Sequence, residues 1–106
     1  MPGRPRITVL LGLHDAGDDL AAQLQSYLDQ SLKPAAILAS DDGSGDATRD
    51  RFAAFAAGPA AAAGIACTLL DGPCRGGTAN FLHLLARADP GGDFTALSDQ
   101  DDIWLP

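Results

Sequence analysis

Ile7-Thr-Val-Leu-Leu-Gly-Leu13 is apolar, rich in β-branched residues and free of polar alternation, and it stops at His14-Asp15. A strand with one wet face alternates apolar and polar positions. An unbroken run is the pattern of a strand covered on both faces, as in a parallel sheet flanked by helices. The stretch therefore predicts a central parallel strand, from which the rest of the chain is read outward. From Asp18 to Gln30, Leu20, Leu24 and Leu28 recur at helical spacing, with Ala21 and Tyr27 beside the stripe and Asp18 or Asp19 placed to cap the start. Pro34 ends that helical region.

Three further apolar runs also end at acidic residues. Ala35 to Ala39 runs into Ser40-Asp-Asp-Gly-Ser44, Ile65 to Leu70 into Asp71, and Phe94 to Leu97 into Ser98-Asp99. Between the second and third runs lies a helix candidate, Thr48 to Ala57, followed by an Ala-rich stretch from Gly58 to Gly64 that reads as a loop or a loose helical extension. Between the third and fourth, Ala79 to Ala88 presents Phe81, Leu82, Leu84 and Leu85 as another amphipathic helix. Strands alternating with helices are the signature of βαβ crossovers. The predicted class is α/β, a Rossmann-like βαβαβαβ unit with a parallel sheet and helices on both faces. No repeat, linker or charge block divides residues 1–106, so one domain is expected.

Composition narrows the function. The formal net charge is −7, and all 14 acidic residues are Asp. Asp favours caps, turns and oxygen-ligand sites over helix interiors, which places the negative charge at element ends. An acidic chain with seven basic residues is not built to neutralise a phosphate backbone, so no nucleic-acid partner is expected. Cys67 and Cys74 lack paired metal-site spacing and read as reduced core or edge residues. No segment is long and apolar enough for a membrane span, and the apolar run after Met1-Pro-Gly-Arg-Pro-Arg6 is too short for a signal peptide. A cytoplasmic location follows as the expectation.

In an open parallel sheet, ligands bind beyond the carboxyl ends of the strands. Here those ends deliver His14 and Asp15, Asp41 and Asp42, Asp71 with the Gly-Pro-Cys-Arg-Gly-Gly77 loop, and Asp99, Asp101 and Asp102. The last cluster gathers three carboxylates within four residues, a repulsion that a divalent cation relieves. Hard oxygen donors suit Mg2+ or Mn2+, and Asp99 and Asp101 can point the same way from an extended segment. Mg2+ commonly shares its shell with substrate phosphates, which points to a diphosphate ligand. The same cluster also reads as a solvated acidic turn. In Asp41-Asp-Gly-Ser-Gly-Asp46 the glycines permit a tight turn, Ser44 or Asp46 can cap the next helix, and Asp42 can accept from an N–H of a bound base. Arg75-Gly-Gly-Thr-Ala-Asn80 places Gly76 and Gly77 at a helix start, where free N–H groups favour an anion. His83 falls within that helix and reads as structural.

Taken together, these motifs resemble the family 2 glycosyltransferases of GT-A fold. Residues 7–48, with a helix ending in the Gln-Ser element Gln30-Ser31 and the strand end Asp41-Asp-Gly-Ser44, are similar to the opening of that family. GGTANF at 76–81 and ALSDQDDIWLP at 96–106 look most like its bacterial rhamnosyltransferase-like branch, which suggests cell-surface polysaccharide biosynthesis. The resemblance implies a nucleoside-diphosphate sugar as donor. It implies nucleotide contacts from Gly12, His14, Asp15, Asp41, Asp42, Gly76, Gly77, Asn80 and Asp99, with Asp42 on the nucleobase. Asp99 and Asp101 match the D-x-D motif that holds Mg2+ or Mn2+, and Asp102 and Trp104 would shape the pocket wall. Where the family usually has Tyr-Asn, this chain has His14-Asp15.

For a whole enzyme, the resemblance implies inverting, metal-dependent transfer to a glycan or lipid-linked acceptor, with peripheral attachment at the inner face of the membrane. The family's general base and acceptor site lie downstream of the D-x-D loop, beyond Pro106, so the chain is expected to be the donor-binding half, inactive alone and prone to self-association. The competing reading is a non-catalytic, cation-binding regulatory domain of receiver type. It fits poorly, because such modules need a Lys near a fifth strand and the only Lys here is Lys33.

Overall fold

The computed structural model describes residues 7–17, 19–30, 33–45, 47–87 and 94–99, with the backbone alone for Asp19, Gly77 and 94–99. The chain runs β1 (Ile7–Leu13), α1 (Asp19–Leu28), β2 (Ala36–Asp41), α2 (Thr48–Phe55), a π-helical turn (Ala56–Ala60), β3 (Ala66–Asp71), α3 (Gly77–Arg87) and β4 (Phe94–Asp99). All pairings are parallel, in the order β3-β2-β1-β4. The expected βαβαβαβ unit is present, with β1 in the interior of the sheet.

Alternation along β1 divides the two faces. Val9, Leu11 and Leu13 join Leu20, Leu24 and Tyr27 of α1 and Phe52 and Phe55 of α2 in one apolar core with Ile37 and Ala39 of β2. Leu10 and Gly12 point the other way, where α3 packs on β1 and β2 and buries Leu84. Right-handed crossovers require this arrangement. The chain winds outward from β1 to β3 over one face, then returns across the sheet to β4 over the other.

Several boundaries differ from the sequence expectation. β2 continues past Ala39 through Ser40 and Asp41, in register with Gly12 and Leu13 of β1, because both polar side chains find partners at the strand end. The Ala-rich stretch is the helical extension, not the loop. Pro59 has no N–H for the α-helical ladder, and the chain widens there into the π turn. The residue before α2 is Ala47, with no side-chain cap; Ser44 is bonded elsewhere, and Asp46 lies outside the described residues. The capping role expected of Asp18 or Asp19 also falls outside the described side chains. Both cysteines are free, and burial pushes the Cys67 thiol up from its ordinary pKa. No helix among the described residues is long and apolar enough to cross a membrane.

On α3, Leu84 is fully buried whereas Leu82 is 61% exposed. Leu84→Ala is expected to cost about 2–5 kcal/mol and Leu82→Ala less than about 0.5 kcal/mol, measured by chemical denaturation.

Candidate functional site

The strand order creates a switch point. The connections leaving β1 and β3 run in opposite directions across the sheet, which puts the crevice of such a sheet between the carboxyl ends of β1 and β4. Gly12 of β1 pairs there with Asp99 of β4 on one side and with Ser40 of β2 on the other. An added Cβ at Gly12 would meet the ring of Phe81 at 3.4 Å and the Asn80 amide at 3.5 Å, so α3 lies directly over this strand end.

Four expected site residues belong to one hydrogen-bonded unit around the end of β2. The Ser40 hydroxyl donates to Asn80 Oδ1 at 2.6 Å, and Asn80 Nδ2 donates to the Ser40 carbonyl at 2.9 Å; both residues are buried. This reciprocal pair pins α3 to β2. Asp42, only 8% exposed, accepts from the Cys74 N–H at 2.5 Å on Oδ1 and from the Gly76 N–H at 3.2 Å on Oδ2. Its own N–H donates to the Leu13 carbonyl at 2.8 Å, and its carbonyl oxygen lies 3.0 Å from His14 Nδ1, which donates in the tautomer protonated there.

Asp41 is buried and faces away from that loop. It accepts from the Ser44 N–H at 3.1 Å, from the Ser44 hydroxyl, and from Arg49 Nη1 at 3.2 Å. Arg49 Nη2 reaches Asp71 at 2.8 Å, so one guanidinium bridges the ends of β2 and β3. Hydrogen bonds to Asp41 first and Asp71 second push the Arg49 pKa further up, keeping the bridge charged. Asp15 sits at φ +45°, in the left-handed region that Asp tolerates. Its N–H donates to Ser44 Oγ at 2.8 Å, and its Oδ1 accepts from the Gly45 N–H at 2.7 Å. The β1–α1 connection is tied down further by the Ala16 N–H, which donates to Thr48 Oγ1 at 2.9 Å.

The structure thus brings Gly12, His14, Asp15, Asp41, Asp42, Gly76 and Asn80 to one rim, together with the backbone positions of Gly77 and Asp99. Asp101, Asp102 and Trp104 lie outside the described residues. Among the described residues, no three His, Cys or Asp side chains form a ready-made metal cage. Sequence reasoning placed Gly72 and Cys74 on the rim only as members of the loop after Asp71, and it missed Ser40 and Arg49 as rim residues. Only Arg49 carried a local signal, a cation in the first turn of the helix that follows an acidic strand end.

No family model matches the chain, and no curated protein matches it significantly by sequence. Its fold is similar to that of the mannosyltransferase PcManGT from Pyrobaculum calidifontis, solved in complex with GDP-Man and Mn2+. That match has a TM-score of 0.79 and 22% identity, over 97% of this chain and 29% of that one. S. aureus TarS 1-349 in complex with UDP matches with a TM-score of 0.66 and 18% identity, over 91% of this chain and 27% of that one. The same TarS segment with UDP-GlcNAc matches at 0.64 and 18% identity, over 91% and 26%. At these identities the likeness is one of fold, and the chain spans less than a third of each of these proteins.

Gly72 is the tightest point of the rim. A Cβ there would fall 2.5 Å from Asn80 Oδ1 and 3.0 Å from the Asp42 Cα. Gly72→Ala is expected to destabilise the chain by about 1–3 kcal/mol, read as a lowered denaturation midpoint with an unchanged slope.

Proposed function

We propose that this chain is the donor-binding half of a metal-dependent glycosyltransferase, and that it holds a nucleoside-diphosphate sugar in the crevice between β1 and β4. The observation that carries the reading is the register of Gly12 with Asp99 at the switch point of the sheet. A glycine there leaves the strand end without a side chain, next to a carboxylate position and beneath Phe81 and Asn80. The fold likeness to nucleotide-sugar-dependent transferases supports the same reading.

In this proposal the nucleobase lies toward His14, Asp15 and the Asp42 end of β2, and the diphosphate toward Asp99 and Asp101; Asp41, buried and turned to Ser44 and Arg49, supports that end from the other face. The donor chemistry of those two carboxylates fits Mg2+ or Mn2+, both of which take hard oxygen ligands. Such an ion, when bound, supplies positive charge that offsets the charge developing on the departing nucleoside diphosphate. The residues of this chain bind the donor, orient it and hold its base end at the β2 side of the rim. Gly76, Gly77 and Asn80 form the α3 side of the same crevice. Assignment to family 2 and its rhamnosyltransferase-like branch rests on Asp41-Asp-Gly-Ser44, GGTANF and SDQDDIW. Inverting transfer to a glycan or lipid-linked acceptor, in bacterial cell-surface polysaccharide biosynthesis at the cytoplasmic side of a membrane, is part of the same proposal.

The receiver-type alternative finds no support in the topology. That arrangement, order 2-1-3-4-5, pairs the third strand with the first. Here β3 pairs with β2, and β4 takes the place beside β1.

Calorimetric titration with UDP, GDP and ADP, with and without MnCl2, tests the proposal. At least one nucleoside diphosphate is expected to bind only with Mn2+, and Asp99→Asn to weaken it about tenfold or more. Absence of binding by all three nucleotides in the presence of Mn2+ contradicts the reading.

A further inference from the structure

The loop between β3 and α3 offers what a phosphate would want: an Arg, two glycines and a helix start. Two of its amides, those of Cys74 and Gly76, are nevertheless already engaged. Cys74 at φ +58° and Gly76 at φ +96° turn their N–H groups inward, and the two close on the two oxygens of Asp42. Successive amides arranged in this way form a concave anion nest. The anion that fills it is a side chain of the protein itself. The loop also presses on the end of β2 at two points. A Cβ on Gly72 would meet Asp42 Oδ1 at 3.0 Å, and one on Gly43 would meet Cys74 Sγ at 2.9 Å. A non-glycine residue in the left-handed region costs free energy, and charge-assisted hydrogen bonds to a buried carboxylate offset that cost.

We infer that Asp42 is a positioning residue. Its carboxylate folds residues 72–76 into the wall of the β1–β4 crevice and occupies the amides that a donor diphosphate would otherwise use. The diphosphate is thereby left to the Asp99 end of the rim. Both consequences concern the donor crevice and so rest on the proposed function; the bonding of the loop to Asp42 does not. A residue that read the base directly would discriminate among bases. One that shapes the wall affects every nucleotide alike, because it acts on the loop before any ligand arrives.

Backbone amide exchange, followed by NMR on the 106-residue chain, tests this without any ligand. In Asp42→Asn the side chain offers one acceptor oxygen and turns an NH2 toward the second loop amide. Exchange at Cys74 and Gly76 is expected to accelerate about tenfold or more relative to Leu11 and Phe52, as loss of a charge-assisted hydrogen bond implies. Affinities for those nucleoside diphosphates that bind with Mn2+ should fall by a common factor. Unchanged exchange at the two loop amides, or, where more than one nucleotide binds, an affinity loss confined to one of them, overturns the inference. Should the variant not fold, the unmodified chain decides. In it the Cys74 and Gly76 amides are expected to be protected from exchange, and exchange there at the rate of an open loop overturns the inference. If no nucleotide binds at all, the proposed function fails while the exchange measurement still decides the role of Asp42.

Discussion

Four hydrogen bonds converge on Asp42, and the shape of the rim depends on them. Its N–H holds the end of β1 through Leu13, its carbonyl oxygen is paired with His14, and its two carboxylate oxygens hold Cys74 and Gly76. One residue at the end of β2 therefore joins the β1–α1 connection to the β3–α3 loop. In an open parallel sheet the strand ends are the least constrained part of the fold, because the ladder stops there and the chain must turn. Here that freedom is removed by a buried carboxylate, which is costly to bury unless its lone pairs are used.

The two adjacent acids at the end of β2, Asp41 and Asp42, divide the work. Asp41 faces Ser44 and Arg49, and through Arg49 reaches Asp71, so it closes the turn into α2 and ties β3 to β2. Asp42 faces the opposite side and the α3 loop. This follows from strand alternation, since neighbouring side chains leave a strand on opposite faces. The Ser40–Asn80 pair does on the α3 face what the Asp41–Arg49 pair does on the other, tying a helix to β2 by hydrogen bonds in addition to apolar contact. With both helices held, the crevice beside Gly12 keeps a defined outline.

Much of this was readable from local pattern. The unbroken apolar run of β1, the helical spacing of Leu20, Leu24 and Leu28, and the acids closing each strand led directly to the parallel α/β class, and the described strand-end acids lie together at one end of the sheet. Strand order was not readable. No periodicity distinguishes a β4 that returns beside β1 from one that continues past β3. The contacts that set the rim were hidden for a similar reason, because Ser40 and Asn80 stand 40 residues apart and neither looks unusual alone. Cys74 gave no signal of its left-handed backbone, which glycine would have advertised. The role expected of Asp42 changed most. Sequence logic aimed its carboxylate at a ligand, whereas in the fold both oxygens face loop amides.

The central claim is that a nucleoside diphosphate and a divalent cation meet between β1 and β4, at the Gly12–Asp99 register. Paramagnetic broadening of amide signals by Mn2+ in the presence of a nucleoside diphosphate tests it most directly. Broadening is expected to centre on Gly12, Leu13 and Asp99, with Leu24 and Phe55 on the opposite face left sharp. Broadening centred on the α1–α2 face, or spread evenly along the chain, would contradict it.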